Sequence, residues 1–245
     1  MRVIRVYTDV VLEGMDRATL TGPAARHVSR VLRLRAGDPV TLFNGDGWEY
    51  PGTVAAPRAD RVEVELVGPR APGLPESPLA VTLLQGVARA ERMDLVVQKA
   101  TELGVARIVP VLAGRSVVRL DERQAQRRLE HWQAIVLSAC EQCGRSRPPA
   151  VAPPRGLDES LADVAGTPHR LVLAPGAPLP LAALPAGAGQ AALLIGPEGG
   201  LTEAERAAAA RAGFEPRALG PRILRTETAA IVALAVLQSA SGDLR

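Results

Sequence analysis

Two glycine-proline loops carry the residue types and spacing best suited to chemistry. The first is Leu193-Leu-Ile-Gly-Pro-Glu-Gly-Gly-Leu201, an apolar strand running into a glycine-rich turn ahead of a capped helix. The second is Leu219-Gly-Pro-Arg-Ile-Leu-Arg-Thr-Glu-Thr-Ala-Ala230, another strand end followed by a helix start. Parallel sheets bind ligands at the carboxyl ends of their strands, and glycine lets the backbone approach a ligand closely. Two such loops at neighbouring strand ends suit one small ligand. Thr226 or Thr228 can act as a helix N-cap, with Glu227 favoured by the helix dipole. That explains one or two of the polar residues Arg222, Arg225, Thr226, Glu227 and Thr228, and leaves the others for a ligand.

Other candidates are weaker. Cys140-Glu-Gln-Cys143 has redox spacing, but it closes a helix, where the dipole raises a thiol pKa instead of lowering it. Zinc would need two further ligands, and neither a second Cys-x-x-Cys nor paired histidines exist, so the cysteines read as structural and no metal is expected. His27, His131 and His169 are isolated, and no Gly-x-Ser-x-Gly appears, which gives a hydrolase little support. Walker A and dinucleotide fingerprints are absent too. Arg145-Ser-Arg147, after the long helix, suits a phosphate clamp or an ordinary complement to the helix dipole.

The elements that position the loops follow from periodicity. Residues 1–70 read as a small β-barrel: Pro39 to Phe43 is a strand, Asn44-Gly-Asp-Gly47 a turn, and Arg61 to Leu66 alternates with Val62, Val64 and Leu66 on one face. A short helix is predicted over His27 to Leu34, stopped at Gly37. Residues 71–78 form a proline-rich linker. From residue 79 to 245, apolar strands alternate with helices. Strands are expected at Leu79–Leu84, Arg107–Val111, Arg170–Ala174, Ala191–Ile195 and Arg217–Leu219. Helices are expected at Glu91–Leu103, at Glu122–Ala139, from the capping box Thr202-Glu-Ala-Glu205, and over Thr228–Ala240. The class is α/β with a mostly parallel sheet.

Composition bounds the possibilities. The chain has 245 residues, 47% of them hydrophobic and 22% charged, which excludes disorder and a coiled coil. No stretch is long and apolar enough to span a bilayer, no signal-like segment opens the chain, and two cysteines suit a reducing compartment, so a cytoplasmic protein is expected. Net charge is only +3, and Lys99 is the only lysine among 29 basic residues. The excess is uneven: residues 1–72 hold 10 basic and 9 acidic groups, 73–150 hold 11 and 8, and 151–245 hold 8 and 9. Arg26, His27, Arg30, Arg33 and Arg35 occur with no acid between them.

Taken together, the two loops resemble the RsmE family, 16S ribosomal RNA (uracil-N3)-methyltransferases of the SPOUT superfamily. Further similarity lies in Met1-Arg-Val-Ile-Arg5, His27-Val-Ser-Arg-Val-Leu-Arg33 with Gly37-Asp38, Glu91 to Gly104, Arg115-Ser116 and Glu141-Gln-Cys-Gly-Arg145.

The resemblance implies a PUA-like RNA-binding β-barrel at residues 1–70 and a SPOUT methyltransferase domain at 79–245. That domain would carry a C-terminal trefoil knot, an exception to unknotted connections. S-adenosyl-L-methionine would lie against Leu173 and Ala174, against Ile195, Gly196, Pro197, Glu198, Gly199 and Gly200, and against Leu219 and Gly220. Ile223, Leu224, Arg225, Thr226, Thr228 and Ala229 would complete its site. Arg222 or Arg225 would stabilise negative charge on the uracil oxygens, and Glu198 or Glu227 would accept the N3 proton. Arg2, Arg5, Arg26, His27, Arg30, Arg33, Arg92 and Arg145 are the RNA-contact candidates. Tyr7, Phe43, Trp48 and Tyr50 suit either base stacking or the barrel core. Partners would be 16S ribosomal RNA of the 30S subunit, at the uridine conventionally numbered 1498, and a second copy of the chain. The alternatives are a ribose 2′-O-methyltransferase, whose usual Ser-Leu-Asn motif is replaced here by Ile223-Leu-Arg225, and a non-catalytic RNA-binding assembly factor.

Overall fold

The computed structural model describes all residues except 1–3, 69, 184–186, 188 and 245. Arg2 therefore lies outside the described residues. The chain divides into two compact units, Met1–Glu76 with Leu137–Pro148, and Ser77–Val136 with Pro149–Arg245.

In the first unit, β1 (Arg5–Tyr7), β2 (Arg17–Thr21), β3 (Pro39–Phe43), β4 (Trp48–Pro57) and β5 (Arg61–Leu66) form one sheet in the order β1-β3-β4-β5-β2. The two-residue β6 (Ala71–Pro72) pairs with β4, so the start of the expected linker is tied into this unit. Alternation in β5 buries Val62 and Val64 against Val6, Leu20, Leu42 and Val54, and turns the charged residues out. Phe43 and Tyr50 are buried as well, the latter donating its hydroxyl to Asp46 at 2.6 Å, which makes these two aromatics core.

The first helix differs from expectation. Helix α1 (Gly22–Arg26) starts five residues before His27, with Pro23 in its first turn, and continues as a π-helical turn over His27–Val31. Ala25 and Val28 face the core, and Arg33 ends the segment in a left-handed conformation at φ 54°. Burial of those two apolar residues, with a proline to pre-set the first turn, decides where the helix sits.

The second unit is built on a wholly parallel sheet. Its elements are β7 (Ala80–Gly86), α2 (Ala90–Glu102), β8 (Arg107–Leu112), α3 (Glu122–Cys143), β9 (Ala150–Val151), β10 (Arg155–Gly156) and α4 (Leu157–Asp163). They continue with β11 (His169–Leu173), β12 (Gln190–Ile195), α5 (Glu203–Arg211), β13 (Glu215–Arg217) and α6 (Thr226–Ser241). The last turns of α3 belong to the first unit. Strand order is β10-β8-β7-β12-β11-β13, with β9 also on β8. The apolar runs of β7 and β12 are buried on both faces, as a parallel sheet requires. Met93, Val96, Val97 and Ala100 form the buried stripe of α2, and Gly104 at φ 75° stops it.

At α5, Thr202 accepts from the Glu205 backbone N–H while the Glu205 side chain accepts from the Thr202 N–H, completing the expected capping box. The final helix starts at Thr226, with Arg225 at the N-cap position and no side-chain cap bond. Neither Thr226 nor Thr228 caps it, because the Thr226 hydroxyl is used elsewhere. Strand β13 lies two residues before the expected position, with Leu173 opposite Arg217. On its far flank the chain leaving β11 returns: Ala218 donates to Leu179 O and accepts from Leu181 N, both at 2.9 Å. The segment after β11 thus runs round the outside of β13.

Candidate functional site

A cavity of about 820 Å³ opens at the carboxyl ends of β11, β12 and β13, within the range that holds small ligands. The loop after β12, the loop before α6 and Leu173-Ala-Pro175 after β11 all line it. Tight backbone packing shapes the β12 loop. A Cβ on Gly86 would lie 2.4 Å from Pro197 N, and one on Gly199 would lie 2.9 Å from Arg115 Cβ. Only glycine lets β7 and the Arg115 segment approach this closely. Gly200 takes φ 69°, the left-handed turn that leads into α5.

Thr226 joins the two loops. Its hydroxyl donates to Gly196 O at 2.7 Å and accepts from Gln85 Nε2 at 2.9 Å. Gln85 and Thr226 are buried, so the bond between them satisfies two desolvated side chains.

Arg92 stands between two carboxylates. Its Nη1 is 3.3 Å from Glu198 Oε1, and its Nε is 3.9 Å from Glu227 Oε1. Glu198 Oε1 also accepts the Arg89 N–H at 3.0 Å. Burial would push the Glu198 carboxyl up, but the Arg89 and Glu198 backbone N–H groups and the Arg92 and Arg89 charges outweigh it and hold it below the usual range. Glu205 is held low in the same way: burial opposes ionisation, and the Gly114 and Thr202 N–H groups overcome it. The second oxygens of Glu198 and Glu227 are buried without hydrogen-bond partners. Arg222 and Arg225 are exposed at the cavity edge, and neither guanidinium has a partner among the described residues. Arg217 is the opposite case, 8% exposed, with Nη2 on Glu215 at 2.5 Å and with Nε and Nη1 unpaired.

Comparison with known proteins bears on what such a cavity serves. Residues 75–238 match the model of an RNA methyltransferase domain, and residues 20–67 match that of an RNA methyltransferase PUA domain. The chain is 31% identical to ribosomal RNA small subunit methyltransferase E of Buchnera aphidicola, over 99% of this chain and 98% of that protein. It is 30% identical to the Bacillus subtilis protein of the same name, over 98% of each. Its fold matches a crystal structure of the Neisseria gonorrhoeae enzyme bound to S-adenosyl methionine, with TM-score 0.91, 37% identity and full coverage of both chains. The chain belongs to the RsmE family.

For this RsmE member, the structure gathers most of the residues expected at the cofactor and catalytic sites. Leu173, Ala174, Ile195, Gly196, Pro197, Glu198, Gly200, Leu219 and Gly220 line the cavity, as do Arg222, Ile223, Leu224, Arg225, Thr226 and Ala229. Gly199, Glu227 and Thr228 do not: Gly199 packs on Arg115, Glu227 is turned toward Arg92, and Thr228 faces outward. Ile223 touches the cavity yet is 85% exposed. Sequence reasoning missed Arg206, Phe214, Pro216 and Arg217 as lining residues, and grouped Arg92 with the RNA contacts. Only β13's placement two residues earlier brings Pro216 and Arg217 to the wall.

Two expected RNA contacts are redirected. Arg5 is mostly buried: it donates to Cys140 O and Ser146 Oγ, pairs with Glu49 at 2.9 Å and lies 4.6 Å over the Phe43 ring. Arg145 is buried and paired with Glu76. Both guanidiniums knit the first unit together, because burying an arginine is costly unless most of its N–H groups find acceptors. Arg26, Arg30 and Arg33 remain exposed, and His27 sits 3.6 Å from Glu141. No cluster of three metal-ligating side chains occurs among the described residues, and no described helix is long and apolar enough to cross a membrane.

Proposed function

We propose that the chain transfers the methyl group of S-adenosylmethionine to N3 of a uridine in 16S ribosomal RNA, conventionally position 1498. The observation that carries this reading is the cavity at the strand ends, walled by both glycine-proline loops in a member of this family. The residues present suit the cofactor. Leu173, Ile195, Leu219 and Leu224 offer apolar wall to a nucleobase, and glycines 196, 200 and 220 let a ligand approach the backbone closely.

When bound, S-adenosylmethionine supplies a methyl group made electrophilic by its sulfonium. The chain's own task is to position the uracil and favour its anion. Arg222 and Arg225 hold unpaired positive charge at the cavity edge, where it stabilises charge on the uracil oxygens. Glu198 is committed to the Arg89 N–H and to Arg92, and a carboxylate held below its usual range is a poor proton acceptor. It braces the loop. Glu227, whose Oε1 lies 3.9 Å from the cavity-lining Arg92 and whose Oε2 is unpartnered, is left to take the N3 proton by turning from Arg92 into the cavity.

Arg26, His27, Arg30 and Arg33 in the PUA-like unit serve RNA-backbone contacts. N3 lies on the Watson–Crick edge, so a paired target must open or flip. The path of the chain round β13 supports the expected trefoil knot, and the family pattern supports a homodimer working in the cytoplasm, where ribosomal subunits assemble. Incubating the protein with labelled cofactor and either 30S particles or naked 16S RNA, then identifying the product nucleoside, tests the reading. N3-methyluridine is expected; its absence from both substrates overturns it.

A further inference from the structure

Arg217 poses a problem that the proposed reaction leaves open. It is the one nine-tenths-buried arginine among the described lining residues of the cavity, and its Nε and Nη1 have no acceptor. Its single ion pair uses Nη2 and goes to Glu215, a side chain 64% exposed that water can solvate unaided. Buried N–H groups of a charged side chain are costly unless an acceptor completes them. The other lining arginines have no such need. Arg222 and Arg225 are exposed, Arg115 is exposed and donates to Gly199 O at 3.4 Å, Arg206 donates to Leu201 O at 2.6 Å, and Arg92 lies between carboxylates. Arg217 also lies in register with Leu173, so strand pairing and not a mobile loop fixes its backbone at the wall.

The missing acceptor should be an anionic oxygen carried by whatever fills the cavity. Resting on the proposed cofactor reading, we infer that Arg217 recognises the α-carboxylate of the methionyl group. That carboxylate is the one anionic group the cofactor possesses, and a charge-assisted bond to a buried guanidinium is strong. Glu198, at the cavity as well, carries the wrong sign for it. Arg217 is thus a specificity residue that separates amino-acid-bearing adenosyl ligands from those lacking the carboxylate.

Calorimetric titration of the full chain with S-adenosylmethionine and with decarboxylated S-adenosylmethionine isolates this group without turnover. Wild-type protein should bind the carboxylate-bearing form about ten- to a hundredfold tighter. Arg217→Met should remove that preference by weakening only the carboxylate-bearing ligand, and Glu215→Gln should keep it. Equal wild-type affinity for the two ligands overturns the inference while leaving the cofactor reading intact; binding of neither overturns the cofactor reading itself. Equal loss for both ligands in Arg217→Met would show a structural role only. Unchanged discrimination in that variant, with weaker RNA binding, would assign Arg217 to an RNA phosphate; either result overturns the inference. The wild-type comparison stands even if Arg217→Met fails to fold.

Discussion

The Thr226 hydroxyl donates to the Gly196 carbonyl at 2.7 Å and so fastens the loop before α6 to the loop after β12. One hydroxyl thereby fixes the relative position of both halves of the cavity wall. Thr226→Val keeps the shape but leaves Gly196 O and one of the two Gln85 Nε2 N–H groups without its partner. We expect a loss of about 1–3 kcal/mol, read by denaturant unfolding, and weaker cofactor binding. Thr226→Ser should restore most of both; a Val variant as stable as wild type would contradict the tie.

Gly86 tests the same wall from β7. A Cβ there meets backbone, 2.4 Å from Pro197 N and 2.8 Å from Gly196 C, and backbone cannot swing aside. Gly86→Ala should cost about 1–3 kcal/mol and lower cofactor affinity by displacing the loop. Thermal melts with and without cofactor read both effects.

The roles given to Glu227 and Arg225 predict separable kinetic losses. Glu227→Gln should lower turnover about 100-fold or more while calorimetric cofactor affinity holds. Arg225→Ala should lower turnover by a similar factor through lost anion stabilisation. Near-normal turnover in either variant, with the cofactor bound, removes that residue from the mechanism.

Cys140 should behave as an inert thiol. Burial is the largest influence on it and outweighs the Arg145 charge, which pulls the other way; the thiol is pushed up to about 12. In the unfolded chain it ionises near its ordinary value of about 8.5. A group whose folded pKa is raised contributes stability below the unfolded value and loses it as pH climbs toward the folded one. Stability should therefore fall through the alkaline range, and less so in Cys140→Ala. Native protein at pH 8 should resist alkylation at Cys140 and react on unfolding, as mass spectrometry will show.

Arg30 is exposed and only loosely paired with Asp60, at 3.7 Å. If it contacts an RNA phosphate, Arg30→Ala should weaken RNA binding regardless of sequence and lower the salt slope by about 1. Titrations across a salt series measure this, and an unchanged slope removes Arg30 from the interface.

Much of this architecture was legible in the residues themselves. The alternation of Arg61–Leu66, the capping box at Thr202 and the doubled glycine-proline loops each impose a local geometry that tertiary packing did not overrule. What escaped notice has identifiable causes. The two-residue strands β9 and β10 are too short to show any period. The helix at Gly22 was hidden because its buried face is only Ala25 and Val28. Arginine on the surface and arginine in a network look identical in sequence, so Arg5 and Arg145 read as RNA contacts although each is sunk among acceptors. Arg217 was invisible for the same reason, compounded by a register fixed only by the pairing of β13 with β11.

The strand round which the chain returns has a consequence for traffic. Lying outermost in the order β7-β12-β11-β13, β13 would ordinarily be the flank that frays, yet Leu179 and Leu181 hold Ala218 from outside. The wall bearing Arg217 is thus held on both sides, by β11 along β13 and by the returning segment at Ala218. We expect ligands to pass the exposed lining residues Arg222, Ile223 and Arg225 instead, which would put the residues assigned to charge stabilisation on the route as well.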